Sequence, residues 1–208
     1  MPDAAAESQS HLAYLALEQL IVTLKLRPGA LVNEKQLIEQ TGHGRTPVRE
    51  AIQKLAWQGL IAVRPRVGLQ IADIEPDDHA RIMQVRRELE PIAAALAAEH
   101  ANLQHRDQLV LCAQKMAACA VTADMSGFLE ADKMFDEIME TACPNNFLTG
   151  ALMPLQTHAR RLWYAIATPE RMDRSIALHI GVIRAIQQGK AEDARRAMAT
   201  LMDYLSGR

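Results

Sequence analysis

Apolar positions along this chain recur mostly at helical spacing. Leu12, Leu15, Ala16 and Leu20, joined by Leu17 and Leu24, predict an amphipathic helix over 11–26, stopped by Arg27-Pro28-Gly29. Asn33, with Gln36 three positions on, reads as a capping box that opens a second helix, and Gly42 closes it. Val48, Ala51, Ile52 and Leu55 form one narrow buried stripe. The stripe predicts a third helix over 47–58, with Thr46 as N-cap, Pro47 at the first helical position and Gly59 just past the end. The apolar period then shortens. Residues 60–63 and 69–72 read as two short strands joined by Arg64-Pro65-Arg66-Val67-Gly68. Beyond Ile74-Glu75-Pro76 the spacing is helical to the end, giving helices over 77–89, 91–101, 104–122, 124–142, 145–167, 170–188 and 191–205. Pro91 is expected to start a new helix or kink the old one.

The predicted fold is therefore mainly α. A disordered leader over 1–10 precedes a winged helix-turn-helix over 11–73, made of three helices and a two-stranded wing. An all-α bundle of six or seven helices follows over 74–208. Composition agrees: 49% of residues are apolar but only 4% aromatic, with ten Met, which suits close-packed helices better than sheets. No apolar run is long enough to span a bilayer and residues 1–10 lack a secretory h-region, so a cytoplasmic protein is expected. Cys112, Cys119 and Cys143 have no metal-like pairing and read as reduced, buried thiols.

Charge changes the picture more than composition does. The net charge of −2 argues against an indiscriminate nucleic-acid coat, yet residues 43–69 hold five basic residues and only Glu50 as an acid. Arg45, Thr46, Arg49 and Gln53 point away from the buried stripe of the third helix. Arginines presented from an N-terminal helical turn suit the major groove, where Arg can read guanine bidentately. Arg64, Arg66 and Gly68 stand at the tip of the wing. Double-stranded operator DNA is the expected partner, bound by a homodimer, because one winged module buries too little surface to bind tightly.

Leu26-Arg27-Pro28-Gly29, Leu37, the stretch from Gly42 to Leu60 with its Arg-Thr-Pro-Val-Arg-Glu-Ala core, and Gly68 together resemble the GntR superfamily over residues 11–72. The family's usual Val and Ser before the core arginine are replaced by His43 and Gly44. The resemblance implies that Arg45 and Arg49 contact DNA from the helix, and Arg66 to Gly68 from the wing. The helical region resembles the FadR-type effector domain at Arg86 with Leu89-Glu90, Asp132 with Phe135, Asn145 to Leu148, and His179 leading to Gly189. That likeness implies a transcription regulator, most often a repressor, whose operator affinity follows a small metabolite such as an organic acid.

The chemistry of the helical region should reside in polar residues that interrupt apolar stripes, since burying them is costly unless something pairs with them. Arg86 lies between Ile82 and Leu89, placed either to anchor a ligand carboxylate or to pair with Glu90. His179 interrupts the stripe of Met172, Ile176, Ile180, Ile183 and Ile186, as a core histidine or a ligand. Asp132 completes the expected effector contacts, with His158 and Trp163 as pocket walls. Asp132, Asp136 and His179 are also a candidate metal set. In many members of this branch, however, the residue four after the Asp is a His and a further His stands where Leu201 is, so only two of four ligands match. A metal-free pocket is the preferred reading, and no cofactor is called for. The alternatives are a metal-assisted all-α enzyme using the same three residues, or a thiol redox sensor at Cys112 and Cys119. No nucleophile motif or phosphate loop supports the first. Seven helical residues separate the two thiols by about 10 Å, too far for a disulfide.

Overall fold

The computed structural model describes residues 8–207. The expected leader falls largely outside them, but Gln9 and Ser10 already belong to the first helix. The chain divides in sequence into two compact units, 1–75 and 76–208.

The first unit contains α1 (Gln9–Val22), β1 (Leu31–Val32), α2 (Glu34–Thr41), α3 (Arg45–Trp57), β2 (Ile61–Arg64) and β3 (Gly68–Ile71). Asn33 and Gln36 form the reciprocal capping box at the start of α2, and Gly42 ends it in the left-handed conformation at φ 70°. Helix α3 opens earlier than Thr46 predicts. Gly44 is the N-cap, in extended backbone, so Thr46 lies exposed within the first turn. Val48, Ala51, Ile52 and Leu55 are all buried, against Leu17, Ile21 and Leu37 among others.

The wing has three strands rather than two, in the order β1-β3-β2, all antiparallel. Leu31 pairs with Gln70 and Val32 with Leu69, a register that two residues of strand cannot announce by periodicity. Between β2 and β3, Arg66 takes a left-handed φ of 65°. Gly68, at φ 123°, lies so near the Val32 carbonyl that a Cβ there would come within 3.3 Å of its oxygen.

The second unit holds α4 (Asp78–His100), α5 (Leu103–Thr122), α6 (Met125–Ala142), α7 (Asn146–Ile166), α8 (Pro169–Gln187) and α9 (Ala191–Leu205). Among the described residues this is a bundle of six helices, because α4 continues through Pro91 instead of restarting there. Pro91 cannot donate to the carbonyl four residues back, but α4 packs along α9 and α7 and that burial holds both halves in one helix. Arg106 ties two helix ends together. Its guanidinium donates to the Ala98 and Ala101 carbonyls at the end of α4, and to the Ile186 and Gln187 carbonyls at the end of α8. No helix among the described residues is long and apolar enough to cross a membrane.

Candidate DNA interface and effector cavity

In the first unit, Arg45, Thr46, Arg49 and Gln53 are all exposed on α3, opposite its buried stripe. The two arginines share a partner that the sequence reading missed. Arg45 Nε donates to Glu34 Oε1 at 2.9 Å and Arg49 Nε to Glu34 Oε2 at 2.7 Å. The hydrogen bond from Arg49, then that from Arg45, holds the Glu34 carboxyl below its ordinary range despite the opposing effect of burial. Glu34 is the first residue of α2, just after the Asn33 cap, so its place was legible although its partners were not. In the wing, Arg64 Nε donates to Gln70 Oε1 at 2.9 Å, which steadies the strand next to the exposed Arg66. Asn33, Arg49, Gln53, Arg64, Arg66 and Gly68 border one groove between α3 and the hairpin.

In the second unit, a partly open cavity of about 30 Å³ is lined by Arg86, Asp132, Arg160, Trp163 and His179, with His79, Ser175 and apolar groups such as Phe128. A volume of that size admits about two waters. Helix α6 supplies Asp132, α8 supplies His179, α4 supplies Arg86 and α7 supplies Arg160 and Trp163. Of the expected effector contacts, Arg86, Asp132, His179 and Trp163 converge here. His158 is half-buried on α7 and does not line this cavity.

His179 bridges two acceptors: Nε2 stands 3.1 Å from Asp132 Oδ1, and Nδ1 stands 2.8 Å from the Ser175 carbonyl oxygen. Both ring nitrogens thus face oxygen, which suits the doubly protonated ring. Burial by itself would lower the His179 pKa, but the hydrogen bond and charge of Asp132 outweigh it and the net shift is upward. Asp132 shows the complement. Burial pushes it up, while His179 and the charges of Arg160 and Arg86 bring it below the ordinary range. Phe135 packs its ring edge-on to the imidazole at a centroid distance of 5.3 Å.

Arg86 is not free to greet a ligand. Its Nη2 and Nε lie 2.9 and 3.0 Å from Glu90 Oε1, and Gln156 Nε2 donates to the same oxygen at 3.2 Å. Of the two readings that the sequence left open, the internal ion pair is the one observed.

Arg160 is the residue that sequence reasoning overlooked. Its guanidinium pairs with Asp136, lies 3.6 Å from Asp132 Oδ2, and donates to Thr157 Oγ1 at 3.2 Å. The signal was present as Gln156, Arg160 and Trp163, which share one face of α7 at helical spacing. The arrangement also corrects the candidate metal set. The Arg160 cation lies against both Asp132 and Asp136, and Asp136 faces a neighbouring cleft with Glu90 and Gln156. Among the described residues no group of three or more His, Cys, Asp and Glu is placed to hold a metal ion, so the donor set does not fit one. Asp136 pays for its position: burial, then the neighbouring Asp132 charge, pushes its carboxyl up to about 7 even though Arg160 pulls the other way.

The thiols are equally quiet. Cys112, Cys119 and Cys143 are buried and unpaired with one another. Cys112 donates to the Ala131 carbonyl at 3.2 Å, and burial with the charges of Asp132 and Asp136 pushes it up to about 12. A thiol held protonated is a poor redox sensor.

An exposed basic helix face beside an arginine-bearing wing, followed by a helical unit whose cavity holds buried charged groups, defines a winged-helix transcription regulator with an effector-binding domain. Residues 9–71 match the family of bacterial regulatory proteins, gntR family, and residues 81–204 match the FCD domain. The chain belongs to the GntR family and carries the FCD type of effector domain. It is 29% identical to an HTH-type transcriptional regulator in an unstable DNA locus of Streptomyces ambofaciens, covering 90% of this chain and 79% of that one. It is 28% identical to a probable D-xylose utilization operon transcriptional repressor of Paenarthrobacter nicotinovorans, covering 84% and 76%. In fold it resembles Escherichia coli McbR/YncC, with TM-score 0.80 and 23% identity over 95% of both chains.

Proposed function

We propose that this protein is a cytoplasmic repressor that binds a two-fold operator as a homodimer and changes its operator affinity when a small metabolite enters the cavity of the second unit. Arg45, Thr46, Arg49 and Gln53 enter the major groove, while Arg64, Arg66 and Gly68 follow the adjacent backbone. The observation that carries this reading is the paired exposure of Arg45 and Arg49 on α3, both oriented by Glu34, within a chain whose second unit is an FCD domain. Relatives named as repressors support the direction of control. The organic acid suggested by the family likeness has less support, because the Arg86 guanidinium that would anchor its carboxylate is held by Glu90.

The test is selection of randomised duplexes by the full chain. A two-fold consensus is expected from the wild type, and Arg45→Ala or Arg49→Ala should weaken binding to it by about 1–3 kcal/mol while leaving the fold intact. Failure of the wild type to enrich any sequence overturns the reading.

A further inference from the structure

Three basic side chains that line the cavity of the second unit already have carboxyl partners within the protein. Arg86, Arg160 and His179 meet Glu90, Asp132 and Asp136 through the contacts at 2.9 Å, 3.1 Å and 3.6 Å already described and the Arg160–Asp136 pair. An entering carboxylate would reach a buried guanidinium only by taking Arg86 from Glu90 or Arg160 from the two aspartates. Glu90 is only 2% exposed, so displacing it would strand a buried anion whose hydration the interior cannot replace.

One buried polar atom on the cavity wall stands outside these pairs. The Trp163 indole Nε1 is shielded from solvent and has no hydrogen-bond partner in the protein. An indole N–H can only donate, so what it lacks is an acceptor. Its ring packs against Phe128 at 5.0 Å between centroids, and both residues line the cavity with the half-buried His79. A hydrogen-bonding group held in a fixed ring, against an apolar wall and beside cations already paired, is the polar anchor of a small-molecule site.

We infer that the effector is a compact, uncharged molecule whose acceptor oxygen takes the Trp163 Nε1–H, rather than a carboxylate seated on Arg86. The inference rests on the proposed role of this cavity as the regulatory site, and it deepens that role by naming the ligand class. Size follows from space: with room for about two waters, the oxygen-bearing end must be a small group such as an amide or ketone carbonyl. A carbonyl is also the simplest match, since it accepts without bringing a hydrogen that needs its own partner.

Trp57 and Trp163 are the only two tryptophans, so Trp57→Phe in the full chain leaves Trp163 as the sole indole reporter at the cavity. Trp57 is 93% exposed on α3, and its replacement leaves the cavity untouched. This protein is titrated with propanamide against propanoate and 2-methylpropanamide against 2-methylpropanoate, pairs of nearly equal shape that differ in charge. Trp163 emission and melting temperature are followed together. The amides should shift both, and the carboxylates should do so about tenfold more weakly or not at all. Trp163→Phe keeps the ring and removes only the N–H, and it should lose about tenfold in amide affinity by thermal shift. Carboxylates binding as well as or better than their amides, or Trp163→Phe binding amides normally, overturns the inference but leaves the cavity as the regulatory site. No response to either class at millimolar concentration overturns the inference and the cavity's regulatory role together. Duplex selection by the same protein tests its DNA-binding role separately.

Discussion

Asp136→Asn should make the second unit increasingly more stable than its parent as pH rises from about 4 to about 7, with the full gain at pH 8. Asp136 has its carboxyl raised from an ordinary 3.8 to about 7, first by burial and then by the adjacent Asp132 charge. Between those two values the folded chain keeps a proton that the unfolded chain has released. Stability must therefore fall as pH rises from about 4 to about 7, then level off. His179, also raised, adds a fall in the same direction above its ordinary 6.5, whereas Asp132, lowered from 3.8, loses its contribution only on the acid side. The interval from 3.8 to 7, at about 1.4 kcal/mol per pH unit, corresponds to about 4 kcal/mol. Asparagine reproduces the shape of the protonated acid and cannot ionise, so the variant should lack that part of the slope. Urea melts from pH 4.5 to 8 (followed by Trp163 fluorescence in a Trp57→Phe background) report on the unit that contains Asp136 without contribution from the other. The decisive quantity is the stability difference between variant and parent at each pH. A difference that stays constant across the window, or that favours the parent at pH 8, refutes the claim that Asp136 is held protonated by its surroundings.

Arg106→Ala removes donors from carbonyls at the ends of two helices and should destabilise the second unit by about 2–3 kcal/mol in the same melts. Replacing Arg160 by Met leaves Asp132 and Asp136 without their shared cation and should cost about 3–5 kcal/mol near neutral pH, less at pH 5 where Asp136 is neutral. Cys112 should resist thiol reagents at pH 8 until the protein unfolds, and rapid modification of native protein, located by mass spectrometry, would contradict its protonated, buried state. Light scattering at micromolar concentration should give a dimer, and a monomer that binds a single half-site tightly would contradict the two-fold arrangement.

Much of the first unit was legible because its signals are local. The Asn33 capping box and the stripe of Val48, Ala51, Ile52 and Leu55 each lie within a few turns of chain, and each appears as read. The start of α3 was misplaced by two residues because Thr46-Pro47 is the stronger capping pair in isolation, yet glycine at Gly44 adopts the extended cap equally well. Pro91 misled for a related reason. A local rule says that a helix stops there, but the surface α4 buries against α9 and α7 extends over both sides of the proline.

The candidate cavity divides along the same line. Periodicity marks a residue as inward-facing without saying what it will meet. It therefore singled out Arg86 and His179, whose side chains do line one cavity, and it left the role of Arg86 open, whereas Asp132, taken from a helix edge and the family resemblance, lines the same cavity. Glu90 joins Gln156 across 66 positions and Arg160 joins Asp136 across 24, distances over which sequence spacing carries no pairing information. The local code of this chain determined where helices begin, which faces are buried and which arginines stay exposed on α3, because each depends on neighbours within a turn or two. Only the tertiary structure decided that β1 completes the wing, that Arg160 lies against both Asp132 and Asp136, and that Trp163 Nε1 is left without an acceptor, because those outcomes depend on which elements come to lie side by side.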